Sequence, residues 1–338
     1  MLWSLYCPRC GFSGGLESYY PWCPRCGGPL EVSGDLPSFP RVLGEGRTPV
    51  VFESFYGGIV GFKLEYLNPS GSFKDRGVSY SLQLARSLGY KCAVVDSSGN
   101  TAMSLAAFAL RLGLEPIVVV PKTAGAPKVS LLRALGARVL MAESRVEASK
   151  MAVAWSGECF HVSHLASPIF LEGMKSLGLE IAEHYRSPTV IAPVSSGSLI
   201  LGVYRGLKEA GAKPRLVAVQ ASEASPLARV LGVLASVGGD KSSLADALVI
   251  REPPRLEEIA RAVMETGGGV VRVGDEAIRS ALGELLSMGF IVEPSSAVVW
   301  AAFNALAGKL EDKDVVLILT GSGLKYSREL ENIIGAPP

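Results

Sequence analysis

Six short apolar runs constrain this chain more than any other feature. Ala93–Asp96, Pro116–Val120, Arg138–Met141, Val190–Val194, Leu216–Gln220 and Val315–Leu319 are rich in β-branched residues and alternate with stretches of helical periodicity. A strand with apolar residues at successive positions must bury both of its faces. That is the condition of a strand in a parallel sheet covered by helices on either side. An α/β fold is therefore expected. At 338 residues the chain can bury more than one core, which predicts two or three domains.

In an open α/β sheet, ligands bind beyond the carboxyl ends of the strands. Three polar turns fall at such ends. Ser97-Ser98-Gly99-Asn100-Thr101 lies between the strand Cys92–Val95 and a helix expected over Ala102–Leu112. Ser195-Ser196-Gly197-Ser198 follows Val190–Val194 and opens a helix expected over Leu199–Ala210. Thr320-Gly321-Ser322-Gly323-Leu324-Lys325 closes Val315–Leu319. Serine and asparagine at such places also serve as simple helix caps. For Ser195–Ser198 the other reading is a phosphate cradle of hydroxyls and backbone N–H groups at a helix N-terminus.

A fourth stretch, Asn68-Pro69-Ser70-Gly71-Ser72-Phe73-Lys74-Asp75-Arg76-Gly77, puts one lysine where a glycine/serine turn meets the start of a helix. A positive helix N-terminus and partial desolvation both disfavour the ammonium form. The free amine that results attacks carbonyls, as a Schiff-base lysine does. The plain alternative is a solvated lysine in a first turn.

Together these stretches resemble the threonine synthase family, within the fold-type II enzymes that use pyridoxal phosphate. Gly44-Glu45-Gly46-Arg47-Thr48-Pro49 and Glu293-Pro294-Ser295-Ser296-Ala297 match the family's remaining landmarks, in the same order along nearly the whole chain. The resemblance implies two doubly wound open-sheet domains: a small one at 76–169, and a large pyridoxal-phosphate-binding one built from 36–75 and 170–338. It implies Lys74 as the residue that joins the cofactor and moves protons. Asn100 falls to the cofactor's 3′-hydroxyl, Ser195, Ser196, Gly197 and Ser198 to its phosphate, and Thr320 to its ring nitrogen. Ser97, Ser98 and Thr101 flank the substrate carboxylate. The implied reaction converts O-phospho-L-homoserine and water to L-threonine and phosphate, and a homodimer is implied as well. His161, His164 and His184 are expected to be structural or surface residues.

The N-terminal 1–35 carries its own signal. Cys7-Pro8-Arg9-Cys10 and Cys23-Pro24-Arg25-Cys26 stand twelve residues apart, each followed by glycine. Two such turns can close the tetrahedral thiolate shell that zinc prefers, with no open position for water, so a structural zinc ribbon is expected. A disulfide framework is the competing reading. Cys92 and Cys159 are expected to be plain core residues.

Composition excludes several classes. A formal net charge of +1 gives no electrostatic case for nucleic acid or acidic membranes. No apolar run reaches the length that spans a bilayer. The start, Met1–Tyr6, runs straight into Cys7 with no signal-peptide core, so a cytoplasmic protein is expected.

Where threonine synthases typically read Asn-Ser-x-Asn-Pro-x-Arg before the shared Leu-Glu-Gly-x-Lys, this chain reads His164-Leu165-Ala166-Ser167-Pro168-Ile169-Phe170 before Leu171–Lys175. A bidentate cation has become a phenyl ring. The rival reading is therefore a pyridoxal-phosphate lyase or β-replacement enzyme acting on serine, threonine or an O-activated serine. A further alternative is a non-catalytic binding protein on the same scaffold.

Overall fold

The computed structural model describes residues 3–15, 19–310, 314–326 and 330–334. The chain divides into two compact units, Met1–Gly46 with Lys74–Met174, and Arg47–Phe73 with Lys175–Pro338.

In the first unit a four-stranded sheet has the order Arg138–Ala142, Glu115–Pro121, Cys92–Asp96, Phe160–His161, all parallel. The burial pattern explains the apolar runs: Ala93, Val94 and Val95 are buried in succession, as are Ile117 to Val120. The helices Lys74–Ser87 and Asn100–Ala109 belong to this unit, and the latter continues as a 3-10 turn to Leu112. A small antiparallel sheet of Ser13–Gly14, Trp3–Tyr6 and Glu31–Gly34 forms the ribbon near the N-terminus.

The first unit also corrects one expectation. Cys92 and Cys159 are core residues, as expected, but they are bonded to each other as a disulfide. They sit beside the neighbouring strands Cys92–Asp96 and Phe160–His161, which brings their Cα atoms to 4.8 Å. Sequence distance hid a pairing that strand adjacency creates.

The second unit holds a seven-stranded sheet in the order Ala235–Val237, Gly269–Val273, Arg215–Ala221, Thr189–Pro193, Asp314–Ile318, Gly58–Lys63, Val50–Phe55. All pairs are parallel except the last, where Val50–Phe55 folds back on Gly58–Lys63 as an edge hairpin. The core is continuous from Phe62 through Ile191, Val217 and Leu317 to Trp300 and Phe303 of the helix Pro294–Leu306. Two glycines fix one helix crossing. A Cβ on Gly178 would lie 2.3 Å from the Val203 carbonyl oxygen, and one on Gly206 would lie 2.1 Å from that of Lys175. Inside this unit the Lys63 ammonium is buried and held by the Glu180 carboxylate at 2.7 Å and the Thr48 carbonyl at 2.6 Å.

Candidate active site

Thr189–Pro193 and Asp314–Ile318 are hydrogen-bonded neighbours, so the turns that follow them emerge at the same edge of the seven-stranded sheet. After the first comes Ser195–Ser196–Gly197, and the helix Ser198–Glu209 begins there. Gly197 is the N-cap with φ 91°, and a Cβ on it would lie 2.2 Å from Cδ1 of Ile259. Glycine is required here by both the left-handed backbone and the close approach. The N-cap makes no side-chain hydrogen bond, so the simple capping reading of these serines does not hold. Instead Ser195 Oγ accepts from the Ile250 N–H at 3.3 Å, and Ser196 Oγ lies 3.4 Å from Ser198 Oγ. The first N–H groups of a helix have no partner inside it, and two buried hydroxyls beside them make a set of donors suited to a phosphate.

After the second strand comes Thr320. Its hydroxyl is buried and lies 2.8 Å from Ser296 Oγ, which also accepts the Gly321 N–H at 2.8 Å. Ser296 stands in the first turn of the helix Pro294–Leu306, whose N-cap Glu293 receives Lys325 at 3.3 Å. A Cβ on Gly321 would strike the Glu293 carboxylate at 2.4 Å. The two motifs Glu293–Ala297 and Thr320–Lys325 are thus one structure, and Ser296 is a functional candidate not singled out by sequence reading. The Phe73 N–H donates to the Thr320 carbonyl at 3.0 Å, which ties the Asn68–Phe73 turn to this strand end.

In the first unit Lys74 is the first residue of the helix Lys74–Ser87 and is partly buried. Its Nζ stands 5.8 Å from the ring centroid of Phe170. That ring is fully buried and packs on Gly77, where a Cβ would lie 2.5 Å from it. Phe170 is therefore a packing residue held against the turn that carries Lys74. Asn100 opens the helix Asn100–Ala109, whose N-cap is Gly99 with no side-chain cap bond, so Asn100 is not a capping residue. Ser97 Oγ accepts the Gly99 N–H at 3.2 Å, Ser98 is partly exposed in the same turn, and Thr101 is buried in the first helical turn. Within this unit, then, Lys74 and the Ser97–Thr101 turn lie at helix starts; Ser195–Ser198 and Thr320 belong to the second unit.

Of the three histidines, His161 stands near the carboxylate just before the Ser97 turn. Asp96, the last residue of its strand, faces His161 Nε2 at 3.7 Å. Burial pushes the Asp96 carboxyl up, but the attraction of His161, with His164 and Ser149 adding, brings it below its ordinary range. His164 is driven the other way: burial and the Lys74 charge lower it to about 3 against the opposing pull of Asp96. His184 packs edge-on to Phe52, in keeping with a structural role.

In the ribbon, the Sγ atoms of Cys7, Cys10, Cys23 and Cys26 lie within 4.8 Å of one another. Cys7 and Cys26 approach to 3.5 Å, as do Cys10 and Cys23, and all four are free thiols. Burial pushes the Cys7 thiol up, yet the N–H groups of Cys10 and Arg9 and the adjoining sulfurs bring it to about 7. For Cys10 the Phe12 N–H lowers the thiol, but burial and the three other sulfurs push it to about 12. Four thiolates this close repel one another unless a cation sits among them, so the donor set fits a tetrahedral metal ion.

Residues 42–321 match the family of pyridoxal-phosphate dependent enzymes. The chain belongs to that family, and the hydroxyl- and amide-lined helix start at Gly197 with the buried Thr320 hydroxyl fits the cofactor that defines it. Within the class it belongs to the threonine synthase family. It is 30% identical to the threonine synthase of Synechocystis sp. over 94% of this chain and 86% of that one. It is 29% identical to the threonine synthase of Methanosarcina acetivorans, covering 88% and 80%. Among solved structures, O-ureido-L-serine synthase superposes with a TM-score of 0.73 over 89% of this chain and 98% of that one, at 21% identity. Maize serine racemase gives 0.69 over 85% and 93%, at 25% identity. These likenesses establish the fold-type II α/β architecture expected from the sequence.

Proposed function

We propose that this chain is a carbon–oxygen lyase of the threonine synthase type, which converts O-phospho-L-homoserine and water to L-threonine and phosphate. The observation that carries the reading is the likeness to threonine synthases along 94% of the chain, with Lys74, Asn100 and Thr320 at helix starts and a strand end. Pyridoxal phosphate, when bound, supplies a carbonyl and an electron sink that acidifies the hydrogens near the substrate amino group.

The chain's own residues do the rest. Lys74 would hold the cofactor aldehyde and, as a free amine, would move protons at the substrate Cα, Cβ and Cγ: hydrogens leave Cα and Cβ, phosphate leaves Cγ, Cγ takes a proton to become the methyl, water adds at Cβ and Cα is protonated again. Ser195, Ser196, Gly197 and Ser198 hold the cofactor phosphate, and Asn100 holds its 3′-hydroxyl. Thr320, a neutral hydroxyl fixed by Ser296, would be the partner of the ring nitrogen and, being neutral, would favour its protonation less than a carboxylate. Ser97, Ser98 and Thr101 hold the substrate carboxylate.

The four ribbon cysteines hold a structural zinc ion. The functional domains are 1–35, 76–169, and 36–75 with 170–338, in a cytoplasmic homodimer that binds no nucleic acid. Among the described residues no helix is long and apolar enough to cross a membrane.

Release of threonine and stoichiometric phosphate from O-phospho-L-homoserine by the holoenzyme tests the reading. Full cofactor absorbance without phosphate release sinks it. A second reading, a lyase or β-replacement enzyme on serine, threonine or an O-activated serine, is favoured by Phe170, whose buried ring offers no charge to a substrate phosphate. Its signature is ammonia and a 2-oxo acid formed from L-threonine or L-serine.

A further inference from the structure

Tyr19 lies between the two cysteine turns of the ribbon, four residues before Cys23, and is fully buried. A segment as short as the ribbon cannot bury an adequate core by itself, so it must pack on something else. Tyr19 shows what that is. Its ring stacks on Phe160 with 4.3 Å between centroids and 8° between planes. Its N–H donates to the Tyr90 hydroxyl at 3.1 Å, and its own hydroxyl is hydrogen-bonded to Ser167 Oγ. The loop that joins the two halves of the thiol cluster is thus anchored in the body of the first unit.

From Ser167 the contacts run on to Lys74. Ser167 Oγ accepts the Phe170 N–H at 3.1 Å, which fixes the first turn of the helix Pro168–Ala182. The Phe170 ring packs on Gly77 and stands 5.8 Å from Lys74 Nζ. One turn further along, a Cβ on Gly173 would lie 2.5 Å from the Arg76 carbonyl oxygen. Helices this close leave no slack, so a shift at Ser167 is passed to the start of the helix Lys74–Ser87. The chain that follows the ribbon holds the same helix. The Tyr80 hydroxyl donates to the Pro37 carbonyl at 2.8 Å, Phe39 meets the Tyr80 ring edge-on at 5.3 Å, and the Ser79 hydroxyl donates to the Glu45 carboxylate.

We infer that Tyr19 is a positioning residue for Lys74: through Ser167 and Phe170 it carries the fold of the cysteine ribbon to the start of the helix Lys74–Ser87, so that Lys74 keeps its working pose only while the ribbon is folded. The inference rests on the proposed role of Lys74 in joining the cofactor and is independent of which amino acid is processed there. Because the four thiols fit one metal ion and folding of so small a module is coupled to metal binding, loss of the metal is felt at Lys74 as well.

The test follows the cofactor held by the holoenzyme, not turnover. Visible circular dichroism per bound cofactor reads its orientation in the site, and its rate of release is measured on dilution. Tyr19→Phe keeps a ring on Phe160 and removes only the hydroxyl. It is expected to weaken the dichroism and to speed release by about tenfold, the fold-change that one hydrogen bond is worth. Ser167→Ala has the same effect, while Ser167→Thr, which keeps a hydroxyl, stays near the wild type. The double variant Tyr19→Phe/Ser167→Ala changes no more than the larger single one, because both act along one path. Chelating the ribbon metal of the wild type reproduces the change.

A Tyr19→Phe enzyme with wild-type dichroism and release overturns the inference, even if it melts at a lower temperature. So do additive effects in the double variant, or a chelated wild type that keeps both signals. Should Tyr19→Phe fail to fold, the chelated wild type decides. Peptide mapping after borohydride reduction identifies the lysine that holds the cofactor. Cofactor on a different lysine defeats the reading of Lys74 on which the inference rests; cofactor on Lys74, with signals that Tyr19→Phe leaves unchanged, defeats this inference alone.

Discussion

Ser296 Oγ and Thr320 Oγ1 lie 2.8 Å apart, both buried, and join the start of one helix to the end of a neighbouring strand. Because Ser296 also accepts the Gly321 N–H, one hydroxyl sets the orientation of the whole strand end. Ser296→Ala leaves the Gly321 N–H and the Thr320 hydroxyl without this partner. The expected loss is about 1–3 kcal/mol of stability, read by thermal unfolding, together with a shifted absorbance of bound cofactor. An unchanged spectrum and melting point would show that Thr320 is oriented by other contacts.

Lys74 begins its helix and sits over the Phe170 face. Lys74→Ala should lower turnover by about 10³-fold or more. Mass spectrometry after borohydride reduction gives a second readout: the wild-type chain gains the mass of the cofactor, and the variant does not.

The ribbon thiols should carry one metal ion per chain, found as zinc by elemental analysis. Cys23→Ser removes one of four ligands, and chelation removes the ion; each should melt the ribbon at a lower temperature than the rest of the chain. A metal-free protein with an unchanged ribbon transition would assign the four cysteines another role.

Cys92 and Cys159 are 67 residues apart in sequence. Closing a loop of that length restricts the unfolded chain, so a Cys92→Ala/Cys159→Ala variant should lose about 2–4 kcal/mol in denaturant melts. Disulfides are uncommon in a reducing cytoplasm. A thiol count on denatured protein, with the metal chelated and no reductant added, is expected to find the four ribbon cysteines alone.

His164 titrates near 3 in the folded chain, below the ordinary value of 6.5, because burial and the Lys74 charge oppose its protonation while Asp96 favours it. The unfolded state therefore binds a proton first as pH falls. Its contribution to stability is whole above about pH 6.5 and is lost progressively down to about pH 3. His164→Asn should flatten this part of the melting-temperature profile. A variant that falls as steeply as the wild type would assign the slope to other groups.

Much of this was legible without coordinates. The runs at Ala93, Pro116 and Val190 are apolar on successive residues because both faces of their strands are covered, a condition written directly in composition. Helix starts are visible through their serines and glycines, and the capping alternative for Asn100 and for Ser195–Ser198 gives way because glycine fills both N-cap positions. At Gly197 the left-handed backbone, φ 91°, requires glycine.

The sequence by itself determined the alternation of strand and helix, the polar turns at strand ends, the placement of Lys74 at a helix start and the spacing of the four ribbon cysteines. These follow from local periodicity and from residue chemistry over a few positions. Only the tertiary structure decided that Ser296 holds Thr320, that Cys92 meets Cys159, that Phe170 is packed against Gly77, and that His164 Nδ1 is buried without a partner among the described residues. Each depends on which strands and helices become neighbours, and that is set by burial of the whole core, to which no short stretch of sequence has access.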